Sequence, residues 1–315
     1  EVARRLVNDS DVVLENFRPG VMERFGLGYD KLKGVNPGLV YCSITAYGET
    51  GPYRRRPGYD AIIQAESGMM SVIGEAGGPP LKGPPGVVDI SAGILAAFSI
   101  VGALYARERD GLGERINVSL FDTAIFQLGL FSIPAWQISG NSVKPEGSGH
   151  PIFAPYQAYE TKDEKWVMIA ALNEGFWRNL CQALNLEKLL RDPRFKDNPS
   201  RSRNRDRLNE LIRNTTLRRT RHELLDTLIQ HDVPVAPINS TAEALAHQVA
   251  EDMLIDVSHQ EAGKVKVLGN PAKMTNRPFR IFKTASRLGE DTEEILVRLG
   301  YMDQDIKRLK DKGII

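Results

Sequence analysis

Asp11-Val12-Val13-Leu14-Glu15-Asn16-Phe17, then Arg18-Pro19-Gly20 with Val21-Met22-Glu23-Arg24-Phe25-Gly26, then Leu39-Val40-Tyr41-Cys42-Ser43-Ile44-Thr45: this succession decides the fold. The first and last segments are rich in β-branched residues and bounded by turn formers, so they read as strands. Pro19 suits the first turn of a short helix between them. Strand, helix and strand in this order imply parallel pairing through a right-handed crossover. Ligands of such sheets gather at the C-terminal ends of the strands, which makes Asn16-Phe17-Arg18 a candidate site. Arg18 and Arg24 fit two readings equally, phosphate ligands or ordinary surface arginines. Before the first strand, Val2, Leu6 and Val7 read as the second half of a helix, so the chain is expected to enter the fold part-way.

Beyond Thr45, a loop of turn formers from Tyr47 to Pro57 carries Arg54-Arg55-Arg56 and delivers Gly58-Tyr59-Asp60 to a helix over residues 61–70. Three adjacent arginines repel one another, and either counterions or a phosphorylated ligand relieves that repulsion. After a Gly/Pro/Lys-rich stretch comes Gly86-Val87-Val88-Asp89-Ile90-Ser91-Ala92-Gly93, continuing through Ile94, Leu95, Phe98, Ile100, Val101, Leu104 and Tyr105 before the first charge at Arg107. A helix this apolar on every face is expected to be covered on both flanks. Asp89, in its first turn, has two readings. It caps the helix by accepting backbone N–H groups, or it is a carboxylate nucleophile kept ionised by the helix-end amides in dry surroundings. Gly111 to Gly113 ends this helix, Arg115 to Leu120 supplies a strand, and residues 121–131 form another apolar helix.

At Ser139 to Pro155 the composition turns to Gly, Ser, Pro and Asn, which reads as a linker. Its Gly147-Ser148-Gly149-His150-Pro151 is either a flexible connector or a bare-amide loop able to close over a site and donate to an oxyanion. Tyr156–Glu160 and Lys165–Ala170 read as a hairpin, followed by helices. Residues 191–221 hold eleven Arg or Lys against four Asp or Glu, and only Phe195 interleaves an aromatic ring. A solvated helix pair fits this better than an RNA-binding surface. Val233-Pro234-Val235-Ala236-Pro237-Ile238 reads as a buried strand, residues 241–248 as a helix, and residues 291–299 as a final amphipathic helix.

Composition limits the function classes. A chain of 315 residues, 42% hydrophobic and 26% charged, is long enough for two domains with real cores. Forty-one basic against forty acidic residues give a net charge of +1, so nothing global demands nucleic acid or an anionic membrane. Cys42 and Cys181 lie in apolar runs and read as buried thiols of a reducing compartment, the cytoplasm. The five histidines form no metal-ligand spacing with them. The apolar run from Ile90 to Ala106 stops short of the roughly 20 residues that span a bilayer.

Taken together, Asn16-Phe17-Arg18-Pro19-Gly20, Gly58-Tyr59-Asp60, the Asp89 helix through Gly113-Glu114-Arg115, the Gly147 loop, Val233-Pro234-Val235-Ala236-Pro237 and Gly269-Asn270-Pro271 resemble the class III coenzyme A transferases, which include formyl-CoA transferase and the carnitine CoA-transferases. The resemblance runs in order over nearly the whole chain. It implies an α/β fold: a Rossmann-like parallel-sheet domain over residues 1–138, a glycine-containing linker over 139–155, a smaller α+β domain over 156–262, and a segment 263–315 returning to the large domain. It also implies an interlocked homodimer. By the same resemblance Asp89 attacks an acyl-CoA thioester, giving an aspartyl-acyl anhydride and then an aspartyl-CoA thioester from which a small carboxylic acid takes the CoA. Asn16, Phe17, Arg18, Arg24, Phe25 and Tyr59 match the CoA site, and Gly147 and Gly149 match a loop covering the intermediate. CoA is then substrate, and no resident cofactor, metal, nucleic acid or membrane is implied.

Two departures accompany the resemblance. The family normally opens with a further strand-turn-helix segment bearing CoA contacts, and this chain is expected to begin after it. The related acyl-CoA racemases place a histidine at the position of Tyr59 and tend to show a glutamate near Asn173, so Tyr59 favours transferase over racemase. The alternatives in a different class are a non-catalytic CoA-binding protein or an RNA-binding protein using residues 191–221.

Overall fold

In the computed structural model, which describes residues 1–315 apart from Pro85, Phe131 and Ser142, α1 (Val2–Asn8) leads into β1 (Val12–Glu15). Two short helices follow, α2 (Val21–Arg24) and α3 (Tyr29–Lys33), and then β2 (Val40–Thr45). β1 and β2 pair in parallel, Val12 against Val40 and Glu15 against Ser43. The chain goes on through α4 (Asp60–Glu66), a 3-10 turn at Met69–Val72 and α5 (Val87–Asp110) to β3 (Arg115–Ser119), parallel to β2 on its other side. Among the described residues the sheet order is β1-β2-β3.

Strand β2 is central and buried on both faces. Cys42 packs with Ile63, Val88, Ala92 and Val118 on one face, and Tyr41 with Val7, Leu32 and Leu39 on the other. Covered parallel strands need apolar residues on both sides, which is why residues 39–45 read as a continuous rather than alternating apolar run. Burial pushes the Cys42 thiol up to about 11 and the Cys181 thiol up to about 12, so both are inert, protonated core groups.

α5 departs from expectation in two ways. It buries Val88, Ala92 and Ala96, small residues four apart that let it lie close on β2 and β3 and against α4 and α6 (Leu120–Leu128). The opposite stripe of Ile90, Ile94, Phe98, Val101 and Tyr105 is exposed, Phe98 by 78%, so among the described residues of this chain only one flank is covered. The helix also runs 24 residues, longer than the apolar run suggested, and is long and apolar enough to cross a membrane by length and composition alone. Gly111 at φ +73° ends it, and Gly113 is obligatory because a Cβ there would lie 2.1 Å from the Leu39 carbonyl oxygen.

After α7 (Ser132–Ser139) the chain enters a second unit, residues 148–290, while residues 1–147 and 291–315 form the first. β4 (Tyr156–Glu160) and β5 (Trp166–Ala170) form the expected hairpin. The helices α8 (Glu174–Ala183), α9 (Asn198–Arg203), α10 (Arg205–Thr216) and α11 (Arg221–Gln230) close over it. Their core joins Tyr159, Val167 and Ile169 to Trp177, Leu180, Phe195, Leu208, Ile212, Leu224 and Leu228. Among the described residues β6 (Val235–Pro237) pairs only with β5, and its middle residue is exposed. It is an edge strand rather than a buried one, since Pro234 and Pro237 lack the N–H groups a central strand donates.

After α12 (Thr241–Leu245), β7 (Leu254–His259) and β8 (Gly263–Leu268) form an antiparallel hairpin, Leu254 against Leu268. The boundary expected at 262/263 falls inside this hairpin; the return to the first unit begins at Asp291. There, α13 (Thr292–Arg298) packs on a further helix, α14 (Asp303–Asp311), and the turn between them meets α1. Arg5 Nη1 donates to the Leu299 carbonyl at 3.2 Å, and its guanidinium lies 4.6 Å from the Tyr301 ring centre.

Candidate active site

The ends of β1 and β2 open into a cleft of about 680 Å³. At the end of β1 the Glu15 carboxylate accepts the Phe17 N–H at 2.7 Å, and Asn16 Nδ2 donates to the Ile44 carbonyl at 2.5 Å. These bonds turn the chain sharply and present Phe17 and Arg18 to the opening. The facing wall is the Arg54–Tyr59 segment, and Ile44, Ala46 and Leu120 supply apolar surface. Gly58 lets that wall approach β2, because a Cβ there would stand 2.7 Å from Ala46 Cβ.

Asp89 lines the same cleft. It is exposed rather than buried and dry, so the expected desolvated setting is absent in this chain. It does not cap its helix either. The N-cap residue is Gly86, at φ +72° and with no side-chain cap. The first-turn N–H groups of Val88 and Asp89 donate instead to Asp60 Oδ2, at 2.8 and 3.3 Å. Among the described residues no donor reaches the Asp89 carboxylate. With the helix-end amides already taken, partial withdrawal from water and then the Asp60 charge push its pKa up. That is opposite to the direction expected from helix-end amides.

Of the three arginines of the loop, Arg54 and Arg56 line the cleft and Arg55 does not. Arg56 Nη1 pairs with Glu66 Oε1 at 2.9 Å, and its guanidinium lies 4.4 Å from the Tyr53 ring centre. Glu66 also accepts from the Tyr47 hydroxyl, and the two bonds hold its carboxyl below the usual range. Arg18 and Arg54 line the cleft with no ion-pair partner among the described residues. They are the cations available to an anionic ligand.

The structure thus brings Asn16, Phe17, Arg18, Tyr59 and Asp89 to one cleft. Arg24 and Phe25, exposed at the end of α2, are not among its lining residues. Gly147 lies elsewhere in the first unit: its N–H donates to the Gly74 carbonyl at 2.8 Å, and a Cβ on it would meet the Glu75 carboxylate at 2.7 Å. Gly149 belongs to the second unit. There, His150 Nδ1 accepts the Ile152 and Phe153 N–H groups and its ring stacks on Tyr156. The role of Asp60 was not read from the sequence. Its only local sign, a carboxylate opening a helix, marks a first-turn acid and says nothing of a second helix 28 residues away.

The sequence profile of CoA-transferase family III matches residues 1–292. This chain belongs to that family. A relative in Fusarium pseudograminearum, named an acyl-CoA transferase, is 40% identical over 98% of this chain and 68% of its own length. The acetyl-CoA:oxalate CoA-transferase of Acetobacter aceti is 36% identical over 86% of this chain and 68% of its own. The crystal structure of a CaiB/BaiF family protein from Brucella suis superposes with a TM-score of 0.82 at 35% identity, covering 95% of this chain and 78% of that one. As a family III CoA-transferase the chain has CoA or acyl-CoA as substrate.

Part of the basic region 191–221 is paired within the chain. Arg194, Arg207, Arg213 and Arg221 are paired with carboxylates. Arg201 is not solvated at all: it is 0% exposed, bidentate to Glu174 and 5.1 Å from the Trp177 ring centre.

Proposed function

We propose that this family member moves CoA from an acyl-CoA to a small carboxylic acid, with Asp89 as nucleophile. The observation that carries the reading is a carboxylate that, among the described residues, is free of capping and of ion pairs, lining a cleft edged by Arg18 and Arg54, which likewise have no ion-pair partner among them. An Asp89 oxygen attacks the thioester carbonyl carbon and the C–S bond breaks, leaving an aspartyl-acyl anhydride and CoA thiolate. The thiolate attacks the aspartyl carbonyl and expels the acyl group as a carboxylate, leaving aspartyl-CoA thioester. The acceptor carboxylate reverses these steps with its own carbon skeleton and leaves as acyl-CoA, restoring Asp89. No proton needs to move at any step.

Arg18 and Arg54 suit the phosphate groups of CoA, and the exposed Phe17 and Tyr59 offer apolar faces to its organic portions. Arg24 and Phe25 keep the CoA-contact role that the family likeness assigns, and Gly147 and Gly149 that of a loop covering the intermediate. The bare apolar stripe of α5 supports a homodimer in which a second copy covers it. Tyr59 supports transfer over racemisation, since a phenol is a poor base at neutral pH. Incubation with acyl-CoA and hydroxylamine should convert Asp89 to its hydroxamate, read by peptide mass spectrometry. Full transfer activity in Asp89→Ala would refute the assignment.

A further inference from the structure

The Asp60 carboxylate does for α5 what a capping residue would ordinarily do from the helix itself. Its Oδ2 accepts the N–H groups of Val88 and Asp89, two first-turn donors with no preceding carbonyl to satisfy them. Its Oδ1 accepts from Gln64 Nε2, one turn further along α4. Gln64, wholly buried, uses its Oε1 to accept the Gly83 N–H at 2.8 Å. One chain of hydrogen bonds therefore ties together the cleft-wall helix, the Gly83 segment and the first turn of α5. Every member of it has a partner, the condition under which a polar network rigidifies its surroundings.

We infer that Asp60, oriented by Gln64, is a positioning residue that fixes the Asp89 backbone from a neighbouring helix and so leaves the Asp89 carboxylate free for the cleft. The inference rests on the role proposed for Asp89. A first-turn aspartate is among the side chains that can compete for the orphan amides of its helix start; here two of them, those of Val88 and Asp89, are occupied by Asp60. Tyr59, which lines the cleft, immediately precedes Asp60, so cleft wall and nucleophile are set by one contact. The arrangement also places a second negative charge beside Asp89, which makes it a more basic and hence stronger nucleophile. The other charged groups on that cleft are Glu15 at the end of β1 and Arg18, Arg54 and Arg56 on its loops.

Two variants of the full chain separate position from charge. Asp60→Asn keeps an acceptor oxygen and removes the charge, whereas Asp60→Ala removes both. In Asp60→Ala, hydrogen exchange at the Val88 and Asp89 amides should lose its protection. The kcat for CoA transfer should fall on the order of 100-fold with KM for acyl-CoA little changed. In Asp60→Asn the amides should stay protected, while the Asp89 ¹³Cγ titration, identified by its loss in Asp89→Asn, and the acidic limb of the pH–rate profile move to lower pH. Wild-type protection and kcat in the alanine variant, or an unmoved Asp89 titration in the asparagine variant, would overturn the inference. Should Asp60→Ala fail to fold, the titration in Asp60→Asn decides alone. A wild-type protein without transfer activity would sink the functional reading instead, and exchange and titration would still judge the clamp.

Discussion

The Glu66 carboxylate accepts from Arg56 Nη1 at 2.9 Å and from the Tyr47 hydroxyl as well, so one acid at the end of α4 fastens the loop that carries Arg54 to the cleft. Glu66→Gln weakens both bonds and loosens that loop. KM for acyl-CoA should rise by roughly 3- to 10-fold with kcat nearly unchanged, as expected when binding shared by ground and transition states is lost. Because Glu66 titrates below its ordinary value, its contribution to stability is present above the unfolded-state pKa and lost as pH falls through the folded one. Thermal melts of wild type and Glu66→Gln should therefore converge on acidification.

Asp89→Asn should abolish transfer, by on the order of 10³-fold or more for a covalent nucleophile. Its stability should move the other way. The folded-state pKa of Asp89 is raised, so the stability present below the unfolded pKa is lost as pH rises through the folded one. At pH 7 the asparagine variant should melt slightly above wild type, by no more than about 0.5 kcal/mol given the exposure of the side chain. The gap should close at lower pH. A wild type that melts higher at pH 7 would contradict this assignment of the shift.

Gly58→Ala should push the cleft wall away from β2, because the new methyl meets Ala46 Cβ at 2.7 Å. The cost should be about 1–3 kcal/mol in urea denaturation. KM for acyl-CoA should rise with it, since Tyr59 and Pro57 move with the same backbone.

The exposed stripe of α5 bears on self-association. Phe98→Asp places a charge in the middle of Ile94, Val101 and Tyr105 without touching the buried Val88, Ala92 and Ala96 face. Sedimentation velocity should show a wild-type dimer and a shift of the variant towards monomer. A wild-type monomer would leave the stripe without the partner proposed for it.

In the second unit, Arg201 is fully buried while the Glu174 side chain is 53% exposed, so the two halves of their bidentate pair are unequal. Glu174→Ala leaves a buried guanidinium without its counter-charge and should cost about 3 kcal/mol. Arg201→Met removes the buried charge together with the pair and should cost less in the same denaturation assay.

The strand-helix-strand rhythm of residues 11–45, the hairpin at Tyr156–Ala170 and the cysteines as core thiols were legible because each is written in local pattern: periodicity, turn formers, apolar runs. Asn16, Phe17, Arg18, Tyr59 and Asp89 were legible as candidates because strand ends and helix starts are places a sequence marks. α14, the extent of the second unit through Glu290 and the burial of Arg201 were not legible. Each depends on which distant surface a segment meets: α1 for the C-terminal segment, Leu268 for Leu254, Glu174 for Arg201.

By itself the sequence determined an α/β chain with a parallel sheet, a second unit after a glycine-rich stretch, and an acid opening an apolar helix, since propensity and patterning act within a few residues. Only the tertiary structure decided what that acid is free to do. A carboxylate 29 residues away takes the orphan amides of its helix, and one face of the helix stays uncovered, because hydrogen bonding and burial are settled by what stands opposite in space.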